Sequence, residues 1–425
     1  MTKLYFYFPY MDESGVPMLF LRMSRWVAEN YGNEYDCYVI DYLDGAMARN
    51  LTHEDKVKVH PYSDDKECVI EDNAIVVFQS NNISFIFQNL KLSPKTKLFW
   101  WTLHERCLAP VLIPMPLGEQ TFKYHWLYKI ASLFYYRFMH GFAKMADDMI
   151  AHSALYFMDI TTFNMSIRHL PMKTKTINDF LQVPAQDYNG VQKTIRTEEE
   201  LVKGVNVCWL GRLCNEKTPV LKLTIRKLSH YALQNNIKIK MIVFGFGDHQ
   251  EEVDNLGREQ KNKYYNQLPS EPIQSKDIDN FLLNNVDMMV ATGTSALEAA
   301  KLGVPTIDVD DSFTSSEIKG DYVFKMLSER RNYDLGHDIT DADCEEGNAS
   351  MEHIMDYLIH HFGAFSKESR DHFVNYHSMT SAGNKFVGLL NKTSFTFDMI
   401  DPKLMQPLWT WKIWSKIRNK TTDKK

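Results

Sequence analysis

The sequence predicts an α/β protein made of two doubly wound, Rossmann-like domains and a C-terminal helical tail. Three observations carry this expectation. At 425 residues, the chain has room for two domains of the usual ~100–200 residues. Short apolar runs of strand length alternate with helix-period runs in both halves, the rhythm of a parallel sheet with crossover helices. Between the two series, residues 184–204 are polar and charged with little apolar periodicity, as in an exposed connection.

In the first half, KLYFYFPY reads as a strand. The following PMLFLRMSRWVAENYG places Leu19, Met23, Trp26 and Val27 on one helical face. YDCYVIDY, NAIVVFQS, TKLFWWTLH and DMIAHS supply further strands, giving a domain over residues 1–185. The second series runs VNVCWLGRL, the helix PVLKLTIRKLSHYALQNN, the strand IKIKMIVFGFG, a helical EEVDNLGREQKNKYYNQ, and DMMVATG leading through TSALEAAKLG to VPTIDVD. This predicts a second domain over 205–375 and a helical, basic, Trp-rich segment over 376–425.

An excess of acidic charge, net -6, argues against a nucleic-acid partner, which needs a basic face. Cys37, Cys68, Cys107, Cys208, Cys214 and Cys344 are scattered without a C-x-x-C pair, so neither a disulfide framework nor a zinc site is expected. The opening MTKLYFYFPYMDESG lacks a signal peptide's apolar core, and no apolar run reaches the ~18–20 residues that span a bilayer, so a cytoplasmic protein is expected. The tail combines Trp409, Trp411 and Trp414 with Lys412, Lys416, Arg418 and Lys420. That mixture suits an anionic membrane surface, at the inner face of the membrane, and equally suits tryptophans folded back under solvated lysines.

Two segments carry the candidate chemistry. In VNVCWLGRLCNEK a buried strand ends in Gly211, Arg212 and Leu213, and Glu216 and Lys217 follow at the next helix. Arg212 and Lys217 have the charge to stabilise a leaving diphosphate, although a basic pair after a strand is also ordinary solvated surface. In MMVATGTSALEAAKLGVPTIDVD, Thr292, Gly293, Thr294 and Ser295 fall at a helix start, where small residues let backbone N–H groups approach a phosphate. Glu298 follows within the first turn of that helix, as a carboxylate for ribose hydroxyls or as a favourable charge near a helix N-terminus.

Together, GRLCNEK and the later small-residue loop with LEAAKLGVP resemble the C-terminal domain of retaining nucleotide-sugar glycosyltransferases of the GT-B fold, over residues 205–312. The likeness extends more loosely to Gly15, which stands after the first strand as in that family's N-terminal loop. The resemblance implies two domains facing each other across a cleft, with Arg212 and Lys217 on the diphosphate and Glu298 on the ribose. It also implies a nucleotide-sugar donor and a glycan or lipid-linked acceptor in cell-surface polysaccharide synthesis, with no cofactor. One departure is clear: the family's paired glutamates lie eight positions apart, and Val290 stands where the first would be.

Gly245-Phe246-Gly247-Asp248 resembles the family's glycine turn, at Gly245 above all, but lacks the full dinucleotide fingerprint, so a nicotinamide dehydrogenase is rejected. His104 and Glu105 end the FWWTLHER strand, where a histidine suits proton transfer to or from an acceptor hydroxyl; His152 is a weaker counterpart. Asp308, Asp310 and Asp311 form a D-x-D-like run, but its place after the Glu298 helix leads to no metal being expected. Two further readings remain open: a GT-B nucleotide-sugar epimerase, and a non-catalytic GT-B-like partner subunit.

Overall fold

The computed structural model describes residues 1–79, 86–87, 89–104, 107–108, 110–113, 125–312, 318, 320, 323–337, 339, 350–411 and 413. Glu105, Cys344 and the tail residues Lys412, Trp414, Lys416, Arg418 and Lys420 lie outside them. Two compact units are present, one of residues 1–183 with 382–425, the other of residues 184–381.

The first unit is built on β1 (Thr2–Tyr7), β2 (Tyr35–Asp41), β3 (Lys58–Pro61), β5 (Ala74–Phe78), β7 (Lys97–Thr102) and β8 (Leu155–Phe157). They form a parallel sheet in the order β3-β2-β1-β5-β7-β8, beside a small pair of β4 (Cys68–Val69) and β6 (Leu90–Lys91). AIVVF of β5 is buried throughout, as expected of a parallel strand covered on both faces. The covering helices include α1 (Gly15–Asn30), α2 (Ala46–Asn50), α3 (His125–Phe134), α4 (Tyr136–Ala151) and α5 (Ile160–His169).

DMIAHS is not a strand. It ends α4, because Phe142, Met145, Ala146 and Met149 recur at helical spacing and bury one face; the strand follows at Leu155. His152 is therefore a helix C-cap, its Nδ1 held 2.7 Å from the Asp148 carbonyl oxygen.

The second unit holds α6 (Glu198–Lys203), β9 (Val205–Leu210), α7 (Thr218–Asn235), β10 (Ile239–Phe244), α8 (Gln250–Glu259), β11 (Tyr265–Gln267), α9 (Ser275–Asn285), β12 (Met288–Ala291), α10 (Thr294–Ala300), β13 (Thr306–Val309), β14 (Phe324–Met326) and α11 (Met351–His372). The strand order is β11-β10-β9-β12-β13-β14, parallel except for β14. Alternate residues serve opposite faces: Val207 and Trp209 pack with α7 and α11, whereas Cys208 packs with Leu282, Ala296 and Ala299 of α9 and α10. The expected long helix over 251–267 stops at Glu259, and the Asn262 side chain accepts from the Tyr264 and Tyr265 amides to turn the chain into β11.

Residues 184–204 differ from an open connection. The Lys193 amide donates to the Leu302 carbonyl (2.8 Å), Arg196 pairs with Asp287 (2.5 Å), and Thr197 and Glu200 form the capping box of α6. The segment expected as a separate tail is also divided. From Ala382 onward it joins the first unit, through α12 (Met379–Lys392), whose buried Phe386 meets Phe6, Phe99 and Trp101 at ring distances of 5.7, 5.3 and 5.9 Å. Trp411 folds back, its Nε1 donating to the Val111 carbonyl (2.8 Å), while Trp409 stacks on Tyr135 with an exposed edge.

Candidate functional site

Strand order reverses in the second unit between β9 and β12, so the loops leaving their C-terminal ends part in opposite directions and open a crevice. A hollow of about 190 Å³ lies there, lined by Gly211 and Arg212 after β9, Phe244, Gly245 and Phe246 at the end of β10, and Ser295 of α10. Leu210, Pro272, Ile273 and Ile278 complete a largely apolar wall. Four of the expected site residues, Gly211, Arg212, Gly245 and Ser295, thus share one hollow.

The loops are fixed to each other by backbone. The Gly211 amide donates to the Phe244 carbonyl and the Leu213 amide to that of Phe246, both at 3.0 Å. A Cβ on Gly245 would collide with the Gly211 carbonyl oxygen, so the glycine is demanded by this close approach, whatever else it contacts. Gly247 crowds the Leu213 carbonyl in the same way.

Arg212 is exposed and lines the hollow; Lys217, half-buried, is the N-cap of α7 and does not line it. Burial works against Glu216 ionising, but the Cys214 thiol, the backbone and the Arg212 and Lys217 charges hold its carboxyl below the usual range. The Glu216 carbonyl also accepts from the Ser312 amide (2.8 Å), which ties the cationic loop to the end of β13.

Gly293 is the N-cap of α10, with φ +68, a left-handed conformation in which a side chain is strained. Its amide donates to the Leu335 carbonyl (2.8 Å). Thr292 is buried and Thr294 exposed, and neither they nor Ser295 caps the helix through a side chain. Glu298 is the fifth residue of a seven-residue helix, just past the first turn in which it was expected, on the same face as Ser295. It contacts the buried Lys301 at 2.5 Å, which in turn reaches Asp279 at 2.9 Å. Against the pull of burial, these two carboxylates hold Lys301 charged, above its ordinary pKa. Lys301 therefore fixes the Glu298 carboxylate, which, unlike Ser295, does not line the hollow. Val290 is fully buried inside β12, a position from which no side chain reaches a ligand.

Sequence reasoning missed a buried charge cluster at the end of β13. Arg330 brings Nε to 2.7 Å from Asp308 Oδ2, and Nη1 to 2.7 Å from Asp310 Oδ1 and 2.8 Å from Asp334 Oδ2. Lys325 lies 3.5 Å from Asp310, and His337 Nδ1 3.0 Å from Asp334. Burial pushes Asp308 well above the usual range, against the pull of Arg330 and with help from the neighbouring carboxylates; Asp334, despite its own burial, is held down to about 2, chiefly by Arg330. Asp310, Asp334 and His337 offer ligand atoms within 4.8 Å of one another. Two of those carboxylates already grip Arg330, so a divalent ion would face a buried guanidinium. The sequence signal was the Asp308–Asp310–Asp311 carboxylate run; nothing in it pointed to Arg330 as the partner.

A larger hollow of about 500 Å³ lies between α7 and α8, but Lys222, His249 and Glu252 in its wall are satisfied by one another (2.6 and 2.9 Å), which makes it the weaker candidate. In the first unit, Gly15 opens α1 with open space around its Cα, and His104 is exposed two residues beyond β7, its carbonyl accepting from the Cys107 amide (2.9 Å).

No family model matches the chain, and no curated protein matches it in sequence. Solved structures do match. The lipopolysaccharide outer core galactosyltransferase WaaB superposes with TM-score 0.50 at 12% identity, covering 92% of this chain and 99% of its own. A glycosyltransferase from Rickettsia africae ESF-5 gives 0.51 at 11% identity, covering 92% and 98%. The shared property is the fold: two Rossmann-like α/β domains in one chain, the GT-B fold.

Proposed function

We propose that the protein transfers a sugar from a nucleoside-diphosphate sugar to a hydroxyl of a glycan or lipid-linked acceptor in cell-surface polysaccharide synthesis. The observation that carries this is the hollow at the strand-order reversal, where an apolar wall stands beside Gly211, Arg212 and Ser295. A flat base suits the wall of Phe246, Pro272 and Ile273, and a diphosphate suits the rim. As charge builds on the leaving phosphate, Arg212 neutralises it, with Lys217 from the same loop; Glu298, fixed by Lys301, accepts from the ribose hydroxyls. These are protein cations, so the reading requires no metal. His104 is the candidate base for the acceptor hydroxyl, with Gly15 leaving room for substrate. That the two compared proteins are sugar transferases, one of the lipopolysaccharide outer core, is consistent with this substrate class. The acceptor class also fits work at the inner membrane face, with the exposed Trp409 as one contact.

A thermal-shift panel of nucleotide sugars tests the donor site. A donor at a hundred times its Kd adds ~2.7 kcal/mol, roughly 5–10 °C for a unit of this size. Arg212→Ala is expected to erase the shift; His104→Ala is expected to keep it and lose turnover. Normal binding and turnover in both variants would remove the assignment. The buried Val290 favours a second reading, a GT-B-like subunit that binds donor without transfer. Turnover by the purified chain decides against it, and product analysis without acceptor detects an epimerase.

A further inference from the structure

Arg212 and Lys217 stand near the two ends of one short loop between β9 and α7, so whatever holds that loop holds both cations. Main-chain bonds fasten it at two points. The Leu213 amide donates to the Phe246 carbonyl (3.0 Å), and the Glu216 carbonyl accepts from the Ser312 amide (2.8 Å). Between these points lies Asn215, an exposed residue whose side chain is engaged by a residue of another element: His249 Nε2 is 2.7 Å from Asn215 Oδ1.

His249 is itself fixed on its other side. It is the N-cap of α8, and its Nδ1 lies 2.9 Å from Oε2 of Glu252 in the first turn of that helix. Glu252 in turn pairs through Oε1 with Lys222 of α7 at 2.6 Å. The main chain adds to the placement, because the His249 amide donates to the Leu213 carbonyl (3.3 Å). Lys222, Glu252, His249 and Asn215 therefore form a closed circuit, from α7 through α8 and back to the loop that precedes α7. Exposed contacts of this kind add little to folding stability. What they do is restrict the loop, and a cation already in position binds phosphate more tightly than one that must be ordered on binding.

We propose that His249 is a positioning residue of the donor site: through Asn215 it holds the Arg212–Lys217 loop in the conformation that receives a diphosphate. The inference rests on the donor reading above and adds to it a residue that acts through the loop. A loop released from His249 spends part of its time elsewhere, and the apparent affinity falls in proportion to the fraction in place. One hydrogen bond is at stake, which amounts to about three- to tenfold in affinity. The loss belongs to the phosphates alone, because Pro272, Ile273 and Ile278, the wall offered to a base, stand on other segments.

Calorimetric titration of the full-length protein with UDP, GDP, ADP and dTDP identifies the tightest diphosphate, which is then compared with its own nucleoside by ligand-observed NMR. His249→Ala and Asn215→Ala are each expected to weaken the diphosphate about three- to tenfold. The double variant should be no weaker than either single one, because both substitutions remove the same contact. The nucleoside should bind parent and variants alike, and melting temperatures should stay within about 3 °C of the parent's. Unchanged diphosphate affinity in both single variants overturns the proposal and leaves the donor reading standing. Equal weakening of nucleoside and diphosphate also overturns it, as general damage to the site, and so do single losses that multiply in the double variant. A parent that binds none of the four diphosphates removes the donor reading, and this inference with it.

Discussion

His372, near the end of α11, is buried with its Nε2 lacking a hydrogen-bond partner among the described residues, between the rings of Tyr376 and His377. Burial lowers its pKa from 6.5 to about 4, so the folded protein keeps it neutral where the unfolded chain takes a proton. The sign follows: its contribution is whole above the unfolded pKa and drains away as pH falls from 6.5 towards 4. Urea unfolding should show stability falling by up to ~1.4 kcal/mol per pH unit across that window. In His372→Gln the slope should flatten. Equal slopes in both proteins would show that another group carries the acid sensitivity. Gly245 teaches a related lesson, since its lack of a side chain is explained by the Gly211 carbonyl before any ligand is considered.

At the scale of elements, β13 and the segment after β14 meet through Arg330, a guanidinium shared by three carboxylates. Removing the cation leaves buried negative charge uncompensated, so Arg330→Met is expected to cost ~3–5 kcal/mol in urea unfolding of the second unit. The loss should also reach the donor site, because the Leu335 carbonyl next to Asp334 receives the Gly293 amide. A loss below ~1 kcal/mol would mean that the cluster is not the support described. Only half of this was legible beforehand: Asp308 and Asp310 stood out as a carboxylate run, but Arg330 did not, because only folding brings it to them. The elements near the hollow were legible, since VNVCWL, MIVF and MMVA are apolar runs bounded by Gly, as buried parallel strands require. DMIAHS misled because an apolar run of that length fits a buried helix end as well as a strand. Glu298 was found by its motif, but its partner Lys301 was hidden in the same helix, where only the contact with Asp279 marks it as a clamp.

At the scale of the whole molecule, the chain leaves the first unit at Val183 and returns to it at Ala382, so that unit's core is completed by residues from both ends of the sequence. Phe386 sits among Phe6, Phe99 and Trp101, which come from β1 and β7, and Gly383 is small because Trp26 of α1 lies against it. Truncating such a buried aromatic costs ~3–5 kcal/mol, through lost transfer energy and the cavity left behind. Phe386→Ala is therefore expected to speed amide hydrogen exchange in β1, β5 and β7, whose ladder is adjacent to the lost ring, while β9, β10 and β12 keep the parent's protection. Ending the chain at Ser381 should act more strongly in the same direction, because it removes all but the start of α12 and leaves the aromatic cluster open to water. Exchange that rises equally in both sheets would show one cooperative body in place of two separately stabilised ones. Exchange unchanged in β1 and β7 would show that the returning segment packs on the first unit without stabilising it.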